Sequence, residues 1–171
     1  MSEQQVAQAP ESEQRSSAWR WWKSLEEDRA GRAELRRCGT PAEVAFTPAY
    51  HALLRRLGSR LREGDARRVA ALAAILSHVE REPAQEASLA RQMGSPRAEG
   101  QGSAVGDSRF RHILREADPE ALMREVIRVV RQLDRCASVD RLVKDLMSWN
   151  EQTRTRWAQD FYEAAPIPEK K

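Results

Sequence analysis

Residues 118–135 read DPEALMREVIRVVRQLDR, and this stretch decides the fold class. Asp118 is a good helix cap and Pro119 already holds the helical φ angle, so a helix opens there and its pattern runs to about Arg135. At roughly 100° per residue, Leu122, Val126, Val129 and Leu133 form one apolar stripe, which Met123, Ile127 and Val130 widen. Arg124, Arg128, Arg131 and Arg135 repeat the same spacing on the far side, within a sector of about 60° on a straight helix. Glu125 and Asp134 are the acids expected to offset them. A ladder of this kind is either a solvated helix face or a cationic contact surface, and spacing alone does not separate the two.

Helical periodicity continues on both sides of this segment. Downstream, Val139, Leu142, Val143, Leu146 and Trp149 mark one helix and Trp157 with Phe161 another, before Pro166 and Pro168 close the ordered region. Upstream, Phe110, Ile113 and Leu114 mark a helix that follows a Gly-rich stretch, GSPRAEGQGSAVGD, over 94–107. In the N-terminal half, Trp19, Trp22 and Leu25 recur at helical spacing, with Trp21 expected on another face. Thr40-Pro41-Ala42-Glu43 reads as a capping box, and Thr47-Pro48 repeats the cap-and-proline start for a helix turning Tyr50, Leu53, Leu54, Leu57 and Leu61 inward. After a turn at Gly64 and Asp65, Val69, Leu72, Leu76 and Val79 define an amphipathic helix that Pro83 is expected to end. A short helix around Leu89 and Met93 follows. No segment alternates as a strand does. The sequence therefore predicts an all-α fold of six or more helices packed as two small bundles, over 17–93 and 108–163, with a disordered lead-in over 1–16, a linker over 94–107 and a tail over 164–171.

Composition narrows the function. The 171 residues carry a net charge of only +3, but residues 29–68 alone sum to +6, and only four of the 29 basic residues are lysines. Arginine's planar fork suits phosphate, and its flat face stacks on bases. Cys38 and Cys136 lack metal-ligand spacing and read as free thiols of a reducing compartment. The N-terminus has no secretory pattern and no apolar run approaches the roughly 20 residues of a membrane span, so a cytoplasmic, soluble protein is expected.

Chemistry is harder to find. His51, His78 and His112 each stand alone, so no metal site is expected. Gly100, Gly102 and Gly106 follow no strand and precede no Gly-Lys-Ser/Thr, which argues for a linker rather than a phosphate loop. Paired acids such as Glu26 with Glu27 and Glu80 with Glu82 have basic neighbours and no apolar surroundings to raise a pKa. No nucleophile stands out. The sequence thus predicts no catalytic residue, no cofactor and no enzyme activity.

Several motifs together resemble one family. Trp22-x-x-Leu25, Gly31-Arg-Ala-Glu-Leu-Arg-Arg37, Arg109-Phe110 with Ile113-Leu114-Arg115, Val126-Ile-Arg-Val-Val130, Leu146-x-x-Trp149, Arg156-Trp157-Ala158 and Phe161-Tyr162 are similar in order and spacing to the CasB-type small subunit of the type I-E CRISPR surveillance complex, Cascade. The resemblance covers roughly residues 17–162. It implies an all-helical, non-catalytic subunit present as a pair, whose partners are the other Cascade proteins, guide RNA, target DNA and a second copy of itself, with no membrane. In that family basic residues hold opened target DNA, and Arg36, Arg37, Arg109, Arg115 and Arg128 match basic positions of the pattern. Arg67 or Arg68 matches a further one. Helical geometry adds Arg111, Arg124 and Arg131. The competing expectation is a helical protein-interaction adaptor whose arginines pair with acidic partner proteins.

Overall fold

Between Val69 and Val79 the chain reads VAALAAILSHV, a run with almost no polar side chain. A helix that is apolar all round has to be enclosed by other elements. In the computed structural model, which describes residues 15–97 and 102–167, this is what happens: every residue from Val69 to Val79 is buried. The first 14 residues of the expected lead-in, residues 98–101 of the Gly-rich stretch and residues 168–171 of the tail lie outside the described residues.

The described residues form ten α-helices: α1 (Ser17–Ser24), α2 (Arg29–Arg37), α3 (Pro41–Val44), α4 (Pro48–Leu57), α5 (Ala66–His78), α6 (Leu89–Gly94), α7 (Asp107–Arg115), α8 (Pro119–Gln132), α9 (Val139–Met147) and α10 (Glu151–Ala164). A 3-10 turn, Gly58–Arg60, follows α4, and two isolated bridges are the only β pairings among these residues. The fold is all-α. Around α5 pack α2, α3, α4, α8 and α9, while α6 packs on α10, α1 spans α4 and α9, and α7 lies on α8. Where the sequence suggests two small bundles, this packing joins them, because α5 is shared with α8 and α9 and the buried apolar side chains form one cluster.

Capping follows the expected chemistry. Thr40 Oγ1 accepts from Glu43 N at 3.2 Å, Thr47 Oγ1 from Tyr50 N at 3.3 Å, and Asp118 Oδ2 from Glu120 N and Ala121 N at 3.1 and 3.0 Å. Four expectations need correction. Trp21, not Trp19, is the deeply buried member of its helix, because Ala18, Trp21, Trp22 and Leu25 form the inward face and Ala49 O accepts from Trp21 Nε1 at 2.9 Å. Leu54, Leu57 and Leu61 are only half-buried, since α4 ends at Leu57. Helix α5 stops at His78, well before Pro83. Helix α8 ends at Gln132, and Asp134 and Arg135 turn away with φ of 55° and 57°, so Arg135 is not the fourth rung of the arginine ladder.

Two contacts fix the C-terminal layer. The buried Asp145 carboxylate accepts from Trp157 Nε1 at 2.7 Å and pairs with Arg156. Gly94, the last residue of α6, lies against the Phe161 carbonyl of α10 so closely that a Cβ would overlap it. A Gly94→Ala chain should therefore lose about 1–3 kcal/mol of stability in urea denaturation, the cost typical of overpacking. A native-like midpoint would show that α6 and α10 are not held in this register.

Candidate nucleic-acid interface

Helix α7 turns Phe110 and Ile113 into the core, which leaves Arg109, His112 and Arg115, three residues apart, toward solvent. Facing them, α8 presents Glu125, Arg128 and Gln132, and the two rows line one open groove with Gly106 and Ser108. Arg109, Arg115 and Arg128 are all exposed. Arg128 contacts Glu125 at 2.7 Å, and His112 Nε2 lies 3.2 Å from Glu116 Oε1, but neither Arg109 nor Arg115 is in an ion pair among the described residues. Among the described residues no Phe, Tyr or Trp lines the groove. Such a surface suits the oxygens of a phosphate backbone better than the faces of bases.

The other arginines singled out from the sequence are dispersed. Arg111 lies off the groove, its Nε 2.9 Å from Asp107 and 3.3 Å from the Tyr162 hydroxyl. Arg124 pairs with Glu120, one turn earlier, an acid the sequence reading did not set against the ladder. Arg67 spans from α5 to the start of α8, 2.9 Å from Asp118 and 3.7 Å from Glu120. Asp118 consequently has its pKa lowered, first by the Ala121 N–H it accepts and then by the Arg67 charge. Arg68 is exposed at the rim of an apolar cleft that includes Leu72, Ile75, Leu122 and Trp149. Arg37 and Arg131 are exposed.

Arg36 has a structural task. Its Nε donates to Ser77 O at 2.8 Å and its Nη2 to Glu80 at 3.0 Å, at the C-terminal end of α5. Beside it, Arg32 Nη2 and Trp22 Nε1 both donate to Val79 O, at 3.0 and 2.9 Å. His78 sits in this end with 2% of its surface exposed, and its pKa falls to about 4, first through burial and then through the charges of Arg131, Arg36 and Arg135. Burial likewise pushes the free Cys38 and Cys136 thiols up, which leaves neither an activated nucleophile. Among the described residues no group of three His, Cys, Asp or Glu side chains is placed to hold a metal ion, and no helix is long and apolar enough to cross a membrane.

Sequence reasoning missed the part that three acids play in holding the helices together. Asp145 had a readable signal, a carboxylate inside the Leu142–Trp149 apolar stripe. Glu82, which accepts from Trp19 Nε1 at 2.9 Å, Val139 N at 3.0 Å and Arg15 at 3.0 Å, had none, because its partners come from distant segments. Glu80 is the third.

Fold and groove together define a helical module with a cation-lined groove and a core that extends through both halves. Residues 31–162 match the family described as CRISPR-associated protein Cse2, and the chain belongs to that family. No curated protein matches the sequence. Its fold is similar to that of a chain in the crystal structure of E. coli Cascade bound to a PAM-containing dsDNA target, with a TM-score of 0.68 and 20% identity over 88% of this chain and 97% of that one.

The buried, neutral His78 gives stability a defined pH dependence. In the unfolded chain this imidazole takes its proton near 6.5, whereas in the folded chain it resists protonation down to about 4. Its contribution is thus fully present above about pH 6.5 and is lost on acidification toward pH 4, by about 1.4 kcal/mol per pH unit. Urea titrations of native protein and His78→Gln between pH 7 and 4.5 should show the native stability falling more steeply. Parallel curves would mean that His78 titrates freely.

Proposed function

We propose that this chain is a non-catalytic, cytoplasmic subunit of a type I-E Cascade ribonucleoprotein, and that its α7–α8 groove holds nucleic-acid backbone and stabilises the target-DNA R-loop during antiviral defence. The observation that carries the reading is the convergence of Arg109, Arg115 and Arg128 on one groove. Membership of the Cse2 family supports it. The partners in this reading are the other Cascade proteins, guide RNA, target DNA and a second copy of the chain.

The energetics suit a small contribution from such a subunit. Forming an R-loop exchanges one duplex for another of similar stability, so a few backbone contacts tip the balance. Contacts from guanidinium groups without stacking aromatics are indifferent to sequence, which leaves target choice to base pairing. A second reading, a protein-interaction adaptor, is favoured by one feature: Arg68 stands beside the apolar cleft between α5 and α8, a pairing that suits an acidic partner with an apolar anchor.

Anisotropy of labelled single-stranded DNA at two salt concentrations separates them. Replacing Arg109, Arg115 and Arg128 by Glu should flatten the slope of log affinity against log salt by about 2, at about 0.7 per phosphate, and weaken binding roughly 100-fold at 0.1 M salt. If the folded triple variant binds DNA as the native chain does, in isolation and in R-loop assays of the assembled complex, the groove is not the interface. Loss of binding to an acidic partner protein, with R-loop stability intact, would instead favour the adaptor.

A further inference from the structure

At the C-terminal end of α5 a second group of cations surrounds a single carboxylate. Glu80 Oε1 accepts from Arg36 at 3.0 Å and lies 3.6 Å from Arg135 Nε. Arg36 is steadied by its bond to Ser77 O and Arg32 by its bond to Val79 O. Arg131, exposed on the last turn of α8, follows Val130, whose carbonyl accepts from Arg135 N at 2.8 Å. Two guanidinium groups, those of Arg36 and Arg135, thus meet one acid, whose side chain is 48% exposed.

The cluster is short of acceptors. Among the described residues Arg32 Nε and Arg135 Nη1 are buried without a hydrogen-bond partner. Buried donors on cations are costly to leave unpaired, and they mark a place where an acceptor fits. Backbone geometry holds Arg135 there: Asp134 and Arg135 adopt φ of 55° and 57°, and Arg135 O accepts from Glu80 N at 2.8 Å. Non-glycine residues in this region are retained where surrounding structure demands them.

We propose that this nest is a second backbone-phosphate site, in which Glu80 is the internal occupant that a nucleic-acid phosphate displaces. The proposal rests on the nucleic-acid reading of the chain. A phosphodiester brings two non-bridging oxygens, which share one charge, to donors of which Glu80 engages only some, through Oε1. Position favours continuity with the groove, because Arg131 stands three residues beyond Arg128, about 4.5 Å further along α8. A strand leaving the α7–α8 groove along α8 meets Arg131 and then the nest.

Glu80→Gln keeps the side chain's shape and removes its charge. In the full chain it should steepen the salt slope for single-stranded DNA by about 0.7 and raise affinity about fivefold at 0.1 M salt. The same gain is expected in the Arg109, Arg115, Arg128→Glu background, and adding Arg131→Gln should abolish it. A folded Glu80→Gln chain with unchanged or weaker affinity overturns the nest, even if the triple substitution has removed groove binding. Conversely, a gain that persists while the triple substitution has no effect keeps the nest and refutes the groove. Should Glu80→Gln not fold, Arg131→Gln in the native chain decides, with a loss of about fivefold supporting the site and no loss refuting it.

Discussion

The constraint on which the structure depends is the enclosed C-terminus of α5. A helix ends with carbonyls that have no intrahelical donor and with the negative end of its dipole, and water normally satisfies both. Here every residue through Val79 is buried, so donors must come from the protein. Arg36 reaches Ser77 O, while Arg32 and Trp22 reach Val79 O. The chain then pairs briefly with the turn after α8, as Arg135 O accepts from Glu80 N and Arg81 O from Ala137 N, at 2.8 and 3.1 Å. Helices α1, α2 and α8 thus converge on one helix end. The same convergence keeps His78 neutral, since burial and three nearby guanidinium groups all oppose its protonation.

This requirement explains which parts of the molecule were legible in the sequence. Caps and prolines were, because a cap is a local interaction, and Thr40, Thr47 and Asp118 all bond the backbone N–H groups their spacing predicts. The face of α1 was misread. Ala18 completes the inward stripe with Trp21, Trp22 and Leu25, and an alanine carries too little hydrophobicity to outweigh a tryptophan at position 19. The all-round burial of α5 was hidden for a related reason, because alanines between Val69, Leu72 and Leu76 weaken an apolar pattern without making a face polar. Arg135 was placed on the ladder because periodicity does not report where a helix stops. The backbone reverses at Asp134, and the side chain goes to Glu80 instead.

The candidate site was legible in part. Arg109, Arg115 and Arg128 were singled out as separate positions, and the structure brings them onto one groove. The remaining arginines divide by what is near them. Arg67 and Arg124 meet the acids at the start of α8, Arg111 meets Asp107, and Arg36 meets a helix end, so much of their charge is met within the chain. Counting guanidinium groups along a sequence overstates the positive surface, because the offsetting acid is often on another element. Arg67 and Asp118 are far apart in sequence yet 2.9 Å apart in space.

The motifs that resemble the family are largely ones that orient this surface rather than form it. Arg156 and Trp157 both meet the Asp145 carboxylate, which ties α10 to α9. One turn further on, Phe161 stacks on Phe110 with ring centroids 3.9 Å apart, while its carbonyl presses on Gly94. Helix α10 therefore grips α6 and α7 at once, and Phe110 fixes the rotation of α7 about its axis. A turn of about 100° in that helix would carry Arg109 and Arg115 off the groove, so the positioning of the cations depends on an aromatic pair and a glycine that themselves touch no phosphate.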